Sequence, residues 1–335
     1  MKKSVTWLKG IAILLIVISH MYTVSGGELI YKFCDDLGRL GVIIFICISG
    51  IAYGMNPKRV YEVNNWRDIF YHIYKKVKPL YPLYIIFLIL MFGIRLAFKE
   101  SIKWLLMEFV VSLPLLQSFV PYKTVFAYSL NTPMWYLSMM LILWSGVPLT
   151  KKVCEWIKVH KINVMLIYVL IICFTFMLTK LNISSEWKRW LIYINPFMNW
   201  IYFSFAYIYA NYYSKYSKKK LNMGIMSLMV VYAIKDCFPV DFRVAAFLLP
   251  VILIVQALFV YPDDKKFKGI FELLGRISTT IFVTHYSICY VFRKSKFYGI
   301  VPFLACLCGI IIFAAIVDTK YVMHRVPVIG KKKSQ

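Results

Sequence analysis

Charged residues are scarce in this 335-residue sequence, and acidic residues are far fewer than basic ones. Only 16% of the residues are charged, and 15 aspartates and glutamates stand against 40 lysines and arginines. Soluble globular domains carry about 25% charged and roughly 45–50% apolar residues, whereas 61% of this chain is hydrophobic and its mean hydropathy is +0.68. One globular core cannot bury that much apolar surface. The composition therefore excludes a soluble or disordered protein and predicts an integral membrane protein.

The motifs of several common enzyme classes are absent as well. The eight cysteines form no C-x-x-C pair and no cysteine–histidine spacing typical of zinc, so we expect no bound metal. The chain has no G-x-x-x-x-G-K-[ST] phosphate loop, no G-x-G-x-x-G, no G-x-S-x-G and no H-E-x-x-H. We therefore expect no ATP hydrolysis. An enzyme built from this chain needs a simple mechanism, with a histidine base, an activated donor and an acceptor hydroxyl.

Apolar runs, in contrast, recur along the whole chain without an intervening soluble domain or internal repeat. A membrane-crossing helix needs about 20 mostly apolar residues. Such runs predict spans at residues 7–24, 37–55, 79–98, 132–149, 162–179, 191–211, 221–238, 242–261, 270–292 and 297–317. Charged residues and a proline interrupt the apolar stretch 102–120, which favours an interfacial or re-entrant segment. The prediction is one all-α integral membrane domain, residues 1–335, of about ten transmembrane helices.

The distribution of lysine and arginine predicts the orientation of these spans. Cytoplasmic segments of membrane proteins are enriched in both residues. With ten spans, the segments on the side of the N-terminus hold clearly more of them than the opposite segments, so both termini are predicted to be cytoplasmic. Most of the net charge of +25 is then an orientation signal. We expect membrane lipids, but no nucleic acid, among the partners.

Lys9 and His20 are ionisable residues inside the first predicted span, where charge is costly and often functional. They are eleven residues apart, almost three helical turns, so both face the same side at ~16 Å along the axis. A histidine oriented by a partner can take a proton from a hydroxyl or relay one. The alternative is structural: His20 hydrogen-bonds to a neighbouring helix, and Lys9 extends to the membrane surface.

His285 is a second histidine within a predicted span, accompanied by a serine and threonines. If its helix begins near Phe271, His285 lies in the outer half of the membrane at a depth similar to that of His20. Two histidines at matching depth can line one cavity, one as base and one as support. The alternative is that these polar side chains only join neighbouring helices by hydrogen bonds.

Three lysines, Lys75, Lys76 and Lys78, gather at the predicted cytoplasmic entrance of the third span. As point charges they suit phosphate groups, including those of a cytosolic donor that carries a nucleotide. They equally suit the head groups of anionic lipids.

Taken in chain order, these residues resemble the bacterial acyltransferase family 3, whose members are multi-pass membrane O-acyltransferases. The first span of that family is similar to L-R-G-I-A-I-L-x-V-x-x-H, and the segment from Leu8 to His20 keeps its spacing with Lys9 in place of the arginine. The second-span pattern G-V-x-x-F-F-x-x-S-G is similar to the segment from Gly41 to Gly50. The basic pattern R-R-x-x-R-x-x-P-x-Y corresponds here to Lys75, Lys76, Pro82 and Tyr84, with Lys78 one residue before its third basic position.

Three later segments extend the resemblance over nearly the whole chain. The segment from Asn131 to Leu137 is similar to N-x-P-L-W-F-L. The segment from Leu274 to His285 is similar to G-x-x-S-x-x-x-Y-x-x-H, with Phe282 in place of the tyrosine. Residues 324–327 lie where many members end in E-x-P, but the glutamate is absent here.

The resemblance implies an acyl-CoA donor, with acetyl as the expected group, on the cytoplasmic side of a bacterial plasma membrane. The acyl-CoA is a co-substrate, and no cofactor is bound permanently. The implied acceptor is a carbohydrate hydroxyl of a cell-envelope or secreted glycan or of a lipid-linked saccharide. The implied site residues are His20, as general base, and His285 for catalysis; Lys9, Lys75, Lys76 and Lys78 for the coenzyme; and Ser49, Trp135 and Arg39 for the substrate cavity.

The residues alone leave two other classes open. A transporter or flippase of lipid-linked sugars would use the intramembrane histidines as a proton relay, and it would release no CoA from acyl-CoA. A non-catalytic scaffold would hold His20 in hydrogen bonds without an accessible cavity.

Overall fold

The computed structural model describes residues 3–25, 28–63, 65–119, 130–213, 218–261 and 269–322. Helices account for 84% of the structure, and no strand occurs in the described ranges. The α-helices of these ranges are α1 (Lys3–Ser25), α2 (Glu28–Gly54), α3 (Trp66–Val77), α4 (Tyr81–Ala97), α5 (Ile102–Ser112), α6 (Trp135–Ser145), α7 (Val147–Val159), α8 (Val164–Thr179), α9 (Ser185–Arg189), α10 (Pro196–Tyr212), α11 (Lys218–Ala233), α12 (Arg243–Val260), α13 (Ile270–Arg276), α14 (Ser278–Lys294) and α15 (Ile300–Val322).

The centre of the bundle is formed by α1, α2, α10 and α12, with α2 between α1 and α10. A Cβ atom at Gly41 of α2 would lie 2.6 Å from the carbonyl oxygen of Ala12 in α1. On the other face of α2, a Cβ atom at Gly50 would lie 2.5 Å from the carbonyl oxygen of Phe203 in α10. Small residues allow helix backbones in membranes to approach this closely and gain van der Waals contact. The second-span glycines therefore position α2 against both neighbours.

A second group of helices covers α1 on another side. α13, α14 and α15 all contact α1, and α14 also contacts α4. Buried side chains of α1, α14 and α15, including Ile13, Ile281 and Ile310, form an apolar cluster of their own. α1 is therefore enclosed between the central helices and the last three helices of the described chain.

Within the described ranges, four helical stretches are each long and apolar enough to cross a membrane: Lys3–Met21, Asp36–Gly54, Val240–Val260 and Ile300–Asp318. α3 and α4, which meet at a bend of 64°, make a fifth crossing if they count as one span.

Several other predicted spans correspond to shorter helices. α8 and α10 have 16 and 17 residues, and at ~1.5 Å per residue both are shorter than the ~30 Å hydrocarbon core. The structure is thus all-helical with several membrane-crossing helices. The number of about ten spans and the cytoplasmic termini stay predictions. Residues 1–2 and 323–335, with the family-like segment 324–327, lie outside the described residues.

The predicted span 132–149 is divided between α6 and α7. The two helices meet at Gly146, where a Cβ atom would lie 2.2 Å from Nε1 of Trp200. Pro148 occupies the first turn of α7, a position that tolerates proline because its missing N–H has no helical partner there. The close packing against Trp200 and the proline in the first turn of α7 together explain why the helix is interrupted at Gly146.

The predicted span 270–292 is divided as well, between α13 and α14 at Ile277. The hydroxyl of Ser278 donates to the carbonyl oxygen of Gly275 at 3.0 Å. Such a local side-chain partner for the backbone competes with a continuous helix.

α5 corresponds to the interrupted apolar stretch 102–120 and has 11 residues, too few to cross a membrane. Arg95 at the end of α4 forms ion pairs with Glu100, at 2.7 Å, and with the buried carboxylate of Glu108 on α5. These ion pairs hold α5 against α4. The short helix agrees with the interfacial or re-entrant segment that the charged interruptions predict.

Candidate active site

Two glycines determine how α1 packs against α13. A Cβ atom at Gly10 would lie 1.9 Å from the carbonyl oxygen of Phe271, and one at Gly275 would lie 1.7 Å from that of Thr6. The absence of both side chains is what allows the two backbones to touch. The first-span segment and the late family-like segment therefore cross at these glycines.

His20 and His285 each follow one of these glycines by ten residues, which is ~15 Å of helix. α1 and α14 run in the same direction from the crossing, so the two histidines reach the same height. Their ring centroids lie 5.3 Å apart, with the ring planes inclined by 44°. The structure thus brings together the two histidines that the sequence places at matching depth.

The hydrogen bonds of His285 determine which of its ring nitrogens carries the proton. The side chain is fully buried, and its Nδ1 lies 3.0 Å from the carbonyl oxygens of both Ile281 and Phe282. Carbonyl oxygens only accept, so Nδ1 donates its hydrogen and Nε2 carries a lone pair. Nε2 is buried and has no hydrogen-bond partner among the described residues. His285 is therefore a fixed hydrogen-bond acceptor beside His20.

His20 is half-buried, whereas His285 is fully buried. Its second ring neighbour is Tyr286, in an edge-to-face arrangement with centroids 5.8 Å apart. The hydroxyl of Thr132 donates to the Tyr286 hydroxyl at 3.1 Å. The base candidate therefore lies between two residues of α14, one of which is anchored from outside that helix.

The family-like segment that begins at Asn131 forms a hydrogen bond with α14 as well. The side-chain amide of Asn131 donates to the carbonyl oxygen of Val283 at 3.1 Å. This contact joins the segment before α6 to α14, the helix that carries His285.

An aromatic wall, formed by Phe45, Tyr136 and Phe282, borders His285. The centroid distances are 6.1 Å between Phe45 and Tyr136, and 5.3 Å between Tyr136 and Phe282. The ring of Phe282 lies 6.1 Å from that of His285. Rings packed in this way exclude water from one side of the histidine pair.

Lys9, a predicted coenzyme-binding residue, lies next to the glycine crossing in α1 and is half-buried. On the same helix, His20 lies ~16 Å beyond it. The two residues therefore lie at different ends of α1, as the sequence spacing predicts.

The other predicted coenzyme-binding lysines, Lys75, Lys76 and Lys78, lie at the end of α3 and are all exposed. Their ammonium groups lie over tyrosine rings at 6.0, 5.7 and 5.3 Å, on Tyr71, Tyr53 and Tyr74 respectively. α3 packs mainly on α6, and none of the contacts described for α3 reaches Lys9. Lys9 and the three lysines of α3, all predicted to bind the coenzyme, are therefore on helices for which the structure describes no mutual contact.

The three predicted cavity residues are also divided. Ser49 is half-buried in α2, one turn after Phe45, and so faces the side of the aromatic wall. Trp135 is buried against Tyr193 with ring centroids 5.1 Å apart, and the guanidinium of Arg39 lies 5.6 Å from the centre of that same tyrosine ring. Trp135 and Arg39 thus both contact Tyr193 in the core.

Sequence reasoning missed a buried charge cluster around Arg39. Asp36 is fully buried and pairs with Lys235 and Arg243, each at 2.7 Å, and with Arg39 at 3.5 Å. Lys235 and Arg243 are 199 and 207 residues away from it in sequence. The sequence contains one sign of this cluster, because Asp36 lies one helical turn before Arg39 at the start of an apolar run.

Tyr286 and Thr132 were missed too, although each adjoins a residue that the sequence analysis quoted. Tyr286 directly follows His285, and Thr132 lies within the segment that starts at Asn131. As to metals, the described ranges contain no group of three or more histidine, cysteine or acidic residues that is close enough to hold an ion.

The fold and this geometry define a helical membrane protein in which two histidine side chains from different helices lie side by side. Residues 2–319 match the family model described as an acyltransferase domain, that of acyltransferase family 3. The protein therefore belongs to acyltransferase family 3 and is a membrane acyltransferase. No curated protein and no solved structure gives a significant match to the chain.

Proposed function

We propose that the protein transfers an acetyl group from acetyl-CoA to a carbohydrate hydroxyl of a cell-envelope or secreted polysaccharide, with His20 as general base. Family membership supports the acyl transfer. The observation that carries the choice of base is the histidine pair, in which the half-buried imidazole of His20 lies beside a second imidazole that has a fixed tautomer.

The reaction moves one proton from the acceptor hydroxyl to the CoA sulfur through His20, and it replaces the C–S bond of the thioester by a C–O bond. Neutral His20 takes the proton of the acceptor hydroxyl while the hydroxyl oxygen attacks the carbonyl carbon of the thioester. The C–S bond of the resulting tetrahedral intermediate then breaks. The departing sulfur takes the proton from the His20 imidazolium, which gives free CoA, the ester and a neutral histidine.

His285 supports this cycle as a positioning residue. In the proposed cycle the His20 ring turns so that its N–H donates to Nε2 of His285, a hydrogen bond that the structure itself does not contain, and the other nitrogen of His20 is then unprotonated and available to the hydroxyl. What supports this role is the buried Nε2 that lacks a partner among the described residues.

We assign the phosphates of the coenzyme to the lysines at the end of α3, and its pantetheine arm to the side of Lys9 in α1. Lys75, Lys76 and Lys78 are exposed and form no ion pair with any described residue, which suits the binding of phosphates. Lys9 stands ~16 Å from His20 along the helix, a separation that an extended pantetheine arm bridges. The proposal places the thioester at the histidines and the nucleotide at the lysines.

The test measures the rate at which membrane vesicles consume acetyl-CoA. The vesicles are prepared from cells that contain both the protein and their own surface polysaccharides. We expect His20→Gln to lower the rates of CoA release and ester formation by about 10²–10⁴-fold, the usual contribution of general base catalysis. The control is His160→Gln, because His160 is exposed directly after α7, where its ring contacts Trp156 of the same helix; this variant keeps the full rate.

A folded His20→Gln protein with wild-type activity would refute the assignment of the base. Wild-type protein that consumes no acetyl-CoA would refute acyl transfer from this donor. Comparison of the ester groups on surface polysaccharides with and without the gene then identifies the acceptor.

A further inference from the structure

A groove on the periphery of the bundle, which we name the α7 groove, lies where α6 meets α7. Its volume is about 700 Å³, and it is bordered by the segment after α2, by α3 and by the start of α10. The apolar part of its lining includes Val60, Ile142, Leu149, Phe197 and Trp200. The indole of Trp200 donates to the Thr150 hydroxyl at 3.1 Å, which closes the groove towards the core.

The α7 groove is separate from the candidate active site. Ile142 follows Tyr136 of the aromatic wall by six residues, which turns the two side chains about 120° apart on α6. Tyr136 faces Phe282 and the histidines, whereas Ile142 faces the groove. A ligand in the groove therefore occupies a second site.

Four ionic side chains also line the groove: Glu62, Lys151, Lys152 and Glu155. None of them forms an ion pair with a residue in the described part of the chain. Lys151 is half-buried among the apolar side chains. An ammonium group in such surroundings is costly unless an anion accompanies it.

The charges and the apolar surface together specify the ligand. Two lysines suit a phosphate, two carboxylates suit a protonated amine, and the apolar lining suits hydrocarbon chains. We propose that the α7 groove binds a phospholipid with a zwitterionic amine head group, namely phosphatidylethanolamine. Lys151 and Lys152 hold its phosphate, Glu62 and Glu155 hold its amine, and its acyl chains lie along Leu149 and Trp200.

A second groove extends this apolar surface on the other face of α7. It has a volume of about 370 Å³, shares Trp200 with the α7 groove, and is lined further by Thr150, Val153, Trp156 and Leu170. Apolar surface therefore continues beyond the charged rim. A small soluble zwitterion would leave all of it uncovered, whereas a phospholipid covers it.

The experiment is lipid binding by the full-length protein. The protein is reconstituted into vesicles with equal parts of dioleoyl phosphatidylethanolamine, phosphatidylglycerol and phosphatidylcholine, extracted in mild detergent and analysed by native mass spectrometry. We expect phosphatidylethanolamine to be enriched several-fold among the retained lipids. The pair Lys151→Gln and Lys152→Gln removes charge-assisted contacts with the phosphate and lowers retention about tenfold.

Further variants separate the head-group contacts from general lipid adhesion. Glu62→Gln with Glu155→Gln abolishes the preference for phosphatidylethanolamine over phosphatidylglycerol. Leu149→Trp fills the groove and lowers retention without any change of charge. Lys158→Gln, further along α7 and outside the groove, is the matched control and leaves retention unchanged.

Enrichment of phosphatidylglycerol over phosphatidylethanolamine in the wild-type protein would overturn the proposal. Equal retention by the wild type and by the Lys151→Gln, Lys152→Gln variant would overturn it as well. Lipid retention is measured without acyl transfer, so neither result depends on the proposed function.

Discussion

Substitution of Gly10 by alanine tests whether the crossing of α1 and α13 positions the histidine pair. The added Cβ would lie 1.9 Å from the carbonyl oxygen of Phe271, whereas real Cβ contacts are essentially never under 3.0 Å. Both partners of this clash are fixed, one to each backbone, so no side chain can rotate away. The two helices must therefore separate by about 1 Å or more at the crossing, because a close-packed interior has no spare volume.

The size of the effect follows from that displacement. Overpacking of this kind costs about 1–3 kcal/mol of unfolding free energy. His20 lies on the same helix ~15 Å beyond the crossing, and a shift of about 1 Å between reacting groups lowers a rate by about 10²-fold. We therefore expect Gly10→Ala to lower acetyl transfer by about 10²-fold. The variant with both Gly10→Ala and Gly275→Ala should lose less unfolding free energy than the sum of the two single losses, because one movement of α1 away from α13 relieves both clashes.

The assay is the initial rate of CoA release in membrane vesicles, accompanied by thermal unfolding of the purified protein. Gly93→Ala and Gly309→Ala are matched controls, since a Cβ atom at either position would meet no atom within 4 Å. Both controls should retain the wild-type rate and stability. A Gly10→Ala protein with the wild-type rate would refute the role of this crossing in positioning His20.

Three further predictions concern other parts of the site. His285→Gln lowers kcat for acetyl transfer about 10²-fold without a change in KM for acetyl-CoA, because it disturbs His20 and not the coenzyme; steady-state kinetics measure both constants. Lys75→Gln with Lys76→Gln raises KM for acetyl-CoA about tenfold and leaves kcat nearly unchanged, because charge-assisted contacts to phosphate are lost; an unaltered KM would remove the coenzyme from α3. Arg95→Gln leaves the buried Glu108 carboxylate without its cation and costs about 3–5 kcal/mol of unfolding free energy, and adding Glu108→Gln recovers part of this loss in thermal unfolding.

The helical membrane fold and the depth of the two histidines were predictable because they depend on composition and on the helical repeat. The apolar runs indicate spanning helices directly. Counting residues along a helix places His20 and His285 at similar depths once the starts of their helices are estimated. Their closeness also needs the contact between Gly10 and Gly275, which joins two segments far apart in sequence.

Other features depend on tertiary packing that local patterns do not contain. The break at Gly146 depends on Trp200, more than fifty residues further on, as well as on Pro148, so the apolar run by itself does not show how the span is divided. The same holds for Asp36, whose main partners lie 199 and 207 residues away. Sequence spacing also could not show that Arg39 pairs within that charge cluster rather than beside the histidines.

The separation of the lysines has the same physical origin. Lys9 and the lysines of α3 have the same charge and are predicted on the same side of the membrane. Their sequence context predicts nothing further about their distance from one another. Whether they meet depends on which helices pack between them, and α3 packs mainly on α6.

The most direct test of the central claim is a comparison of acetyl transfer by His20→Gln, His285→Gln and the variant that carries both substitutions. His285 is assigned to orient His20, so its contribution disappears once His20 is gone, as for residues that act as a unit. We expect the double variant to be no slower than His20→Gln alone. If the two losses instead multiply in the double variant, His285 acts independently of His20 and does not orient it.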